Sequence, residues 1–322
     1  LSFGGGNEWH KEYPFVFWCY LTHGYGGART RGAKAVKVER VGNWLPRCNF
    51  VAMCLSEDTE ILTKSGWKNH IDLVKGEPVL TLNLKNGCLE FNEIEAVYRY
   101  DNFKKLIHIS GTKCPDILAT EKHRILYKRG SGYLEKPLDK FAQLTGRVYI
   151  PRSGHFIGKG VDIADDMLRL VAWIITEGHF RVAPLGDGID ITQATSNSYA
   201  WRIRELLNNL NIKFSEYNIN LKNKPIKNTK YFYNDNKTVF HIWANSGRDL
   251  RKIVFSKRIP ANFFDMDDRQ FKIFFNEMLL GDGYIGYQIQ YTTGDEILAG
   301  QLQALCFMHN QRIGIYKRKE KS

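Results

Sequence analysis

The sequence has no long apolar run and no clustered cysteines. No segment approaches the roughly 18 consecutive apolar residues that a membrane span requires, and residues 1–20 lack the layout of a secretory signal peptide. The six cysteines stand at wide, irregular spacings without a CxxC pair, which argues against a zinc site or a disulfide framework. We therefore expect an intracellular protein with reduced thiols and no membrane partner.

Composition and charge narrow the class of partner. The chain has 322 residues, of which 43% are hydrophobic and 13% aromatic, enough for two domains with full cores and too apolar for a disordered chain. Lysine and arginine number 46 against 34 aspartates and glutamates, which gives a net charge of +12. Such an excess favours a polyanionic partner, and nucleic acid is the first candidate.

Three segments of the chain have different patterns. Residues 1–53 are rich in glycine, arginine and aromatic residues and show no complete periodic pattern. Residues 54–155 contain short β-type runs separated by SG, KNG and GSG turns, which predicts an all-β domain. Residues 156–322 alternate helical and strand patterns, beginning with the amphipathic stretch DIADDMLRLVAWIITEG. We predict an α+β chain in which an all-β domain precedes an α/β domain.

The last of these segments contains an internal repeat. Its first copy has a helix ending in TEGHF, a strand in GIDITQAT and a helix in WRIRELLNNL. The second copy has a helix ending in GDGYI, a strand in GYQIQYTT and a helix in EILAGQLQALCF. Residues 188–195 align with residues 286–293 without a gap. Two copies in this order predict a domain with pseudo-two-fold symmetry.

Each copy's first helix ends in an acid that precedes a glycine. The pairs are Glu177–Gly178 and Asp282–Gly283, and we expect both glycines to be C-terminal caps with positive φ. An acid in the last turn opposes the helix dipole, so two equivalent acids suggest a bound cation. If the symmetry brings them together, they form an oxygen site for Mg²⁺ that suits phosphodiester hydrolysis. Two solvated helix ends with ordinary turns are the alternative.

The segments LVAWIITEG and FNEMLLGDG resemble the paired helices of LAGLIDADG homing endonucleases, and the resemblance covers about residues 160–322. It implies that the two helices pack together and that Glu177 and Asp282 are metal-binding catalytic acids. Ala172 keeps the small residue that is usual where such helices touch, whereas Glu277 holds the matching place in the second helix. The cofactor implied is Mg²⁺, and we expect the chain to act as a monomer.

The same resemblance implies that two sheets lie in the major groove of double-stranded DNA. The strands would then supply Gln193, Gln288 and Gln290 to base edges, while basic residues such as Arg258 contact phosphate. Lys257, in SKRIPANFF, matches the basic residue that such enzymes carry before an Ile-Pro pair when they lie inside inteins. Because other basic residues are near it in sequence, a plain phosphate contact is the alternative for Lys257.

The segment CLSEDTEIL resembles the first splicing block of inteins, and ATEKHRIL resembles the second. The stretch NHIDLVKGEPVLTLN between them resembles a further intein segment. The resemblance implies a Hint-type splicing domain whose N-terminal residue is Cys54. Its thiolate would attack the preceding peptide bond to form a thioester, with His123 protonating the departing nitrogen and Thr120 holding the scissile amide. The partners in cis would be host-protein segments.

Inteins end in His-Asn before Cys, Ser or Thr, but His309–Asn310 precedes Gln311. We therefore predict a helix terminus there, equivalent to Leu210–Asn211 of the first copy, and expect the chain to be a fragment of a longer precursor. Residues 1–53 would then come from the host protein. Their GGNEWHKE stretch loosely resembles a phosphate-binding loop, so a terminase-like ATPase host stays open.

Two other functions stay open beside an intein with an active endonuclease. In the first, the fold is the same but the nuclease is degenerate and only binds DNA or supports splicing. In the second, the chain is a fragment of a P-loop ATPase, and the residues after position 53 are accessory.

Overall fold

The structure is a computed structural model, and it describes eleven stretches of the chain: residues 16–21, 28–29, 36–39, 59–84, 86–97, 105–110, 117–130, 132–182, 186–196, 198–226 and 231–318. Within them the chain is mixed α+β, as the sequence predicts. It divides into two compact units. The first contains Thr22–Phe156 and Cys306–Arg312, and the second contains Pro14–Leu21, Ile157–Leu305 and Ile313–Ser322. No helix among the described residues is long and apolar enough to cross a membrane.

The strands and helices are numbered in chain order. The strands are β1 (Val16–Leu21), β2 (Ala28–Arg29), β3 (Val36–Glu39), β4 (Glu60–Thr63), β5 (Gly66–Asn69), β6 (Pro78–Leu82), β7 (Cys88–Glu93), β8 (Lys105–Ile109), β9 (Ile117–Thr120), β10 (Arg124–Arg129), β11 (Gly132–Pro137), β12 (Arg147–Val148), β13 (His155–Phe156), β14 (Gly178–Phe180), β15 (Ile189–Ala194), β16 (Phe214–Ile219), β17 (Lys237–Ile242), β18 (Gly283–Ile285), β19 (Ile289–Thr293) and β20 (Ile313–Arg318). The α-helices are α1 (Leu138–Phe141), α2 (Asp165–Glu177), α3 (Tyr199–Asn209), α4 (Ala244–Ile253), α5 (Asp268–Asp282) and α6 (Glu296–Met308).

The first unit is built almost wholly from short strands. One sheet has the order β13-β7-β6-β4-β5, a second has the order β3-β8-β9, and β10 pairs with β11. A cluster of buried side chains forms a core beside these strands: Ile107, Ile109, Ala119, Ile125, Tyr127, Leu138, Phe141 and Val148. Alternate residues of a strand face the same side, so β10 supplies both Ile125 and Tyr127 to this core. The single-turn helix α1 covers it with two apolar side chains.

The second unit contains the two copies of the repeat apart from the end of α6, from Cys306 onward. The first copy runs α2, β14, β15, α3, β16 and β17, and the second runs α5, β18, β19, α6 and β20. Their sheets have the orders β14-β15-β17-β16 and β18-β19-β1-β20. The first, second and fourth strands of the two sheets are equivalent elements of the two copies. The third strand is β17 in the first sheet and β1 in the second. The internal repeat read from the sequence is therefore present in the fold.

Local signals in the sequence explain where these helices lie. In α2 the residues Leu170, Val171, Ile174 and Ile175 are all buried, so the amphipathic helix predicted there is confirmed. The ends of α3 and α6 are equivalent in the two copies, because Asn211 and Asn310, which follow these helices, have φ of 52° and 57°. Asparagine tolerates this left-handed conformation and commonly ends helices. The interpretation of residues 309–310 as a helix terminus is confirmed.

Candidate active site

Helices α2 and α5 pack tightly together near their C-terminal ends. A Cβ atom added to Gly281 would collide with Thr176, because three atoms of that side chain would lie within 2.9 Å of it. Only glycine leaves room for this approach. The next residues along the two helices are Glu177 and Asp282, and they are close enough for the charge of Asp282 to act on Glu177. The structure therefore brings together the two acids that the sequence singles out.

A buried acid joins the same two helices further from their ends. Glu277 is 2% exposed, and its carboxylate accepts hydrogen bonds from Trp173 Nε1 at 2.9 Å and from Arg202 Nε at 3.0 Å. Arg169 Nε lies 3.6 Å from it. These donors compensate the cost of burying the carboxylate. The acid that the sequence places opposite the small residue Ala172 is thus compatible with close helix packing.

The glycines after the two acids have another conformation than predicted. Gly178 has φ −76° and Gly283 has φ −96°, so the prediction of positive φ was wrong. Both backbones are extended, since α2 passes directly into β14 and α5 into β18. A Cβ atom at Gly178 or Gly283 would instead collide with the carbonyl oxygen of Ile174 or Leu279, respectively. Crowding against the last helical turn explains the glycines.

The surroundings of the two acids favour their protonated forms. Burial raises the pKa of Glu177, and the charge of Asp282 raises it further, against the opposing effects of Lys257, Gln193 and Lys237. Asp282 is exposed, yet desolvation by the surrounding protein still raises its pKa, while Lys257 opposes the shift. Two carboxylates with raised pKa values at one place are typical of catalytic and metal-binding sites.

Lys257 lies at this site. Its Nζ donates a hydrogen bond of 2.6 Å to the carbonyl oxygen of Thr176 in the last turn of α2, where a cation complements the helix dipole. The segment that carries it is held by Gln301, whose side chain accepts from Ile259 N and donates to Ile259 O, both at 2.9 Å. The structure therefore places the lysine beside both acids, as expected for a residue acting at the same site.

The glutamines predicted to contact DNA fall on two different faces. Gln193 is buried, and its side chain forms a hydrogen bond with Glu177. It therefore lies at the site of the two acids, and this position does not fit the predicted contact with a DNA base. Gln290 pairs with Tyr284 across the sheet, and successive residues of a strand face opposite sides. Gln290 therefore lies on the face opposite Tyr291, and Gln288 is half-buried just before β19.

Arg258, predicted to contact phosphate, lies at the surface. Its Nε is 3.3 Å from Asp295 Oδ2, and the two side chains are 47% and 34% exposed. Exposed ion pairs of this kind contribute between about 0 and 1 kcal/mol to stability. Arg258 is therefore available to exchange its partner for a phosphate group.

Two features of this unit were missed at the sequence level. Tyr291 donates its hydroxyl to Asp282 Oδ2 at 3.3 Å; the ungapped alignment of the copies pairs Tyr291 with Gln193 and could have indicated it. On the outer face of the first sheet, Asp190 accepts from Arg181 Nε at 2.9 Å and lies 2.7 Å from His241 Nδ1. The alternation of side chains along β15 puts Asp190 on the face of the sheet away from Gln193. That His241 of β17 would be its partner could not be read from the sequence, because the pairing of β17 with β15 depends on the fold.

The two acids are oxygen donors, the type of ligand that hard cations prefer. In the stretches that the structure describes, no group of three or more His, Cys, Asp or Glu residues could hold a metal ion by itself. Mg²⁺ is commonly bound by one or two carboxylates while substrate phosphates and water complete its shell. Glu177 and Asp282 supply two carboxylates from adjacent helix ends, so the residues fit Mg²⁺ in that manner.

The residues predicted to act in splicing lie in the first unit. Thr120 ends β9 and His123 precedes β10, and His123 N donates to Thr120 O at 3.1 Å across the turn. His123 is buried, and its Nδ1 has no hydrogen-bond partner among the described residues. Burial lowers the pKa of His123 and thereby favours the neutral form of the ring. Cys54 lies outside the described residues.

No model of a known protein family matches the chain, and no curated protein matches it. The resemblances to inteins and to LAGLIDADG endonucleases therefore remain predictions that rest on the motifs in the sequence and on the geometry of the described residues.

Proposed function

We propose that the chain belongs to an intein, in which a Hint-type splicing domain carries a LAGLIDADG homing endonuclease that cuts double-stranded DNA. The observation that carries the nuclease is the packing of Thr176 against Gly281, which brings Glu177 and Asp282 together. Two isolated helix ends would give no such pair. The equivalent positions of both acids in the repeat, with Lys257 beside them, support one shared site over two unrelated turns.

The residues of this site divide the work of phosphodiester hydrolysis. Bound Mg²⁺ would polarise the scissile phosphates and favour a hydroxide nucleophile. Glu177 and Asp282, when ionised, would hold that cation through their carboxylate oxygens. Lys257 would stabilise the negative charge that develops on the phosphate oxygens, because a preorganised cation in a partly desolvated site acts more strongly than one in water. The raised pKa values imply that cleavage increases with pH as the acids ionise.

The outer faces of the two sheets would carry the DNA. The net charge of +12 favours binding to phosphate and predicts a steep loss of affinity with salt. Sequence would be read by polar side chains on the faces that point away from the helices. Gln290 lies on such a face in the second sheet, and Asp190 with His241 lies on it in the first. Gln193 is not among these residues.

The first test is cleavage of a supercoiled plasmid library with random inserts by the purified protein. We expect Mg²⁺-dependent conversion of a small subset of plasmids into nicked and linear forms, because a specific endonuclease acts only where its target occurs. EDTA should abolish the conversion. Cutting without a divalent cation would contradict the mechanism, whereas selective DNA binding without any cutting would favour the degenerate nuclease.

The splicing activity is proposed on a separate observation. His123 is buried, its Nδ1 has no hydrogen-bond partner among the residues that the structure describes, and it lies in one tight turn with Thr120. A buried polar atom without a partner is costly and indicates a missing hydrogen-bonding group. In the intein resemblance that group is the scissile peptide before Cys54. The phosphate-binding loop considered for the ATPase alternative, in residues 5–12, lies outside the described residues.

N-terminal cleavage tests this activity in the full-length protein treated with dithiothreitol. We expect release of residues 1–53, detected by mass spectrometry, because a thiol intercepts a thioester at Cys54. Cys54→Ala should abolish release, and His123→Ala should slow it at least about 100-fold by removing a proton donor. Cys88→Ala, at a half-buried free thiol, is the matched control and should retain it. Undiminished release from Cys54→Ala would exclude the thioester.

A further inference from the structure

Tyr291 is a buried tyrosine whose hydroxyl reaches one of the two acids. It is 1% exposed and stands directly across the sheet from Gly283, the residue that follows Asp282. Its hydroxyl donates to Asp282 Oδ2 at 3.3 Å. A buried phenol requires a hydrogen-bond partner, and here that partner is a carboxylate of the candidate active site.

The first copy holds its acid in another way. Gly178, which follows Glu177, stands across from Ile191, and the side chain that bonds to Glu177 is that of Gln193, two residues further along β15. An amide offers both donors and an acceptor, whereas a phenol directs one O–H at the carboxylate. The two acids occupy equivalent helix ends but are oriented by unlike groups, an amide in the first copy and a phenol in the second.

A hydrogen bond to one carboxylate oxygen restricts rotation of the group and leaves the second oxygen for a cation. Partners that orient a metal-binding side chain in this manner commonly change metal affinity or activity by about 10–100-fold when they are removed. The phenol is well suited to such a role because its ring is fixed by burial and the sheet fixes its backbone. Asp282 has a short side chain, so the hydrogen bond from Tyr291 and the end of α5 both constrain its carboxylate.

We propose that Tyr291 is a positioning residue that fixes the Asp282 carboxylate for binding a divalent cation. The proposal deepens the nuclease function and rests on it. Since Gln193 plays the corresponding part for Glu177, the two halves of the site are unequal. Removing the Tyr291 hydroxyl therefore impairs one half more than the other, and the two DNA strands are then cut at clearly different rates.

The test is the variant Tyr291→Phe, which keeps the buried ring and removes only the hydroxyl. Titration calorimetry of the DNA-free protein with Mg²⁺ should show affinity about tenfold weaker than in the wild type. Mg²⁺ should also produce a tyrosine difference band in the near-ultraviolet spectrum of the wild type that Tyr291→Phe lacks. Tyr127→Phe, at a buried tyrosine of the first unit, is the matched control and should behave as wild type in both measurements.

A second measurement follows the nicked intermediate on a plasmid that the wild type linearises. Tyr291→Phe should accumulate nicked circles, with the second cut slowed about tenfold relative to the first. Wild-type Mg²⁺ affinity together with an unchanged difference band in Tyr291→Phe would overturn the proposal and leave Tyr291 as a core residue. If the wild type cuts no DNA, the nuclease function fails, whereas the Mg²⁺ titrations still decide the role of Tyr291.

Discussion

Glu177→Gln and Asp282→Asn should each reduce double-strand cleavage at least roughly 100-fold. The amides keep the shape of the acids but remove the charge that binds Mg²⁺ beside the scissile phosphates. DNA binding should survive, because its affinity comes from basic residues and the sheet faces and two carboxylates only repel the phosphate backbone. A gel-shift assay with EDTA and a cleavage assay with Mg²⁺ on the same target separate the two properties.

The same variants should not unfold more easily. The pKa values of both acids are raised above the ordinary 4.5 and 3.8, so the folded state prefers their protonated forms. The stabilising effect of the protonated acids is present below these ordinary values and is lost as the pH rises through the higher folded-state values. At pH 8 the amide variants should therefore melt at the same or a higher temperature than the wild type, and the difference should vanish near pH 3.

These results exclude loss of the fold as the cause of inactivity. Lys252→Ala serves as a control, because Lys252 forms an exposed ion pair with Asp249 on α4 and its loss should change neither melting nor cleavage appreciably. Cleavage close to the wild-type rate by either amide variant would refute the paired-acid mechanism. Melting at a clearly lower temperature at pH 8 would contradict the raised pKa values.

Gly281→Ala should be the most damaging substitution at the helix contact. The added Cβ would meet three atoms of the Thr176 side chain within 2.9 Å, and overpacking of this severity costs up to about 3 kcal/mol. Alanine recovers only about 1 kcal/mol through its helix propensity, so we expect a net loss of about 2 kcal/mol. Because the acids are the next residues, a displacement of about 1 Å should also reduce cleavage roughly 100-fold.

A compensating substitution distinguishes this contact from general destabilisation. Thr176→Gly removes all three colliding atoms, so the double variant with Gly281→Ala should cleave DNA faster than Gly281→Ala alone. Its stability should stay below that of the wild type, because Thr176 also donates to Ala172 O and glycine disfavours helix. Gly294→Ala is the matched control, since a Cβ there meets nothing within 4 Å. Failure of the double variant to regain activity would argue against the contact as the cause. Urea unfolding and plasmid cleavage supply both measurements.

The repeat and the paired acids could be predicted because they depend on local periodicity. The spacing of Leu170, Val171, Ile174 and Ile175 is sufficient to define α2, and an acid before a glycine can be recognised at the end of each helix. The order of elements in the two copies then implies that both helix ends meet. No long-range information is needed for these steps, since each depends on residues within one or two turns of a helix.

The remaining features depend on contacts that a single sequence does not encode locally. Gly178 suggested a positive φ, but the steric conflict with Ile174 depends on how the chain leaves the helix. Gln193 looked like a polar residue on an exposed strand, and its burial follows from the side of the sheet that α2 covers. A shift of one residue in strand register would have reversed that assignment. The partners of Glu277 likewise come from α2 and α3, far away in sequence.

The register of the two sheets has a consequence for the shape of the DNA target. The outer face carries Asp190 and Thr192 in the first copy, whereas Gln290 lies on it in the second. Side chains with different donors and acceptors select different base pairs. If the proposed function holds, one chain would therefore recognise a target whose two halves have unrelated sequences. An inverted repeat would fit only one of the two sheets. The host site would be read in a single orientation.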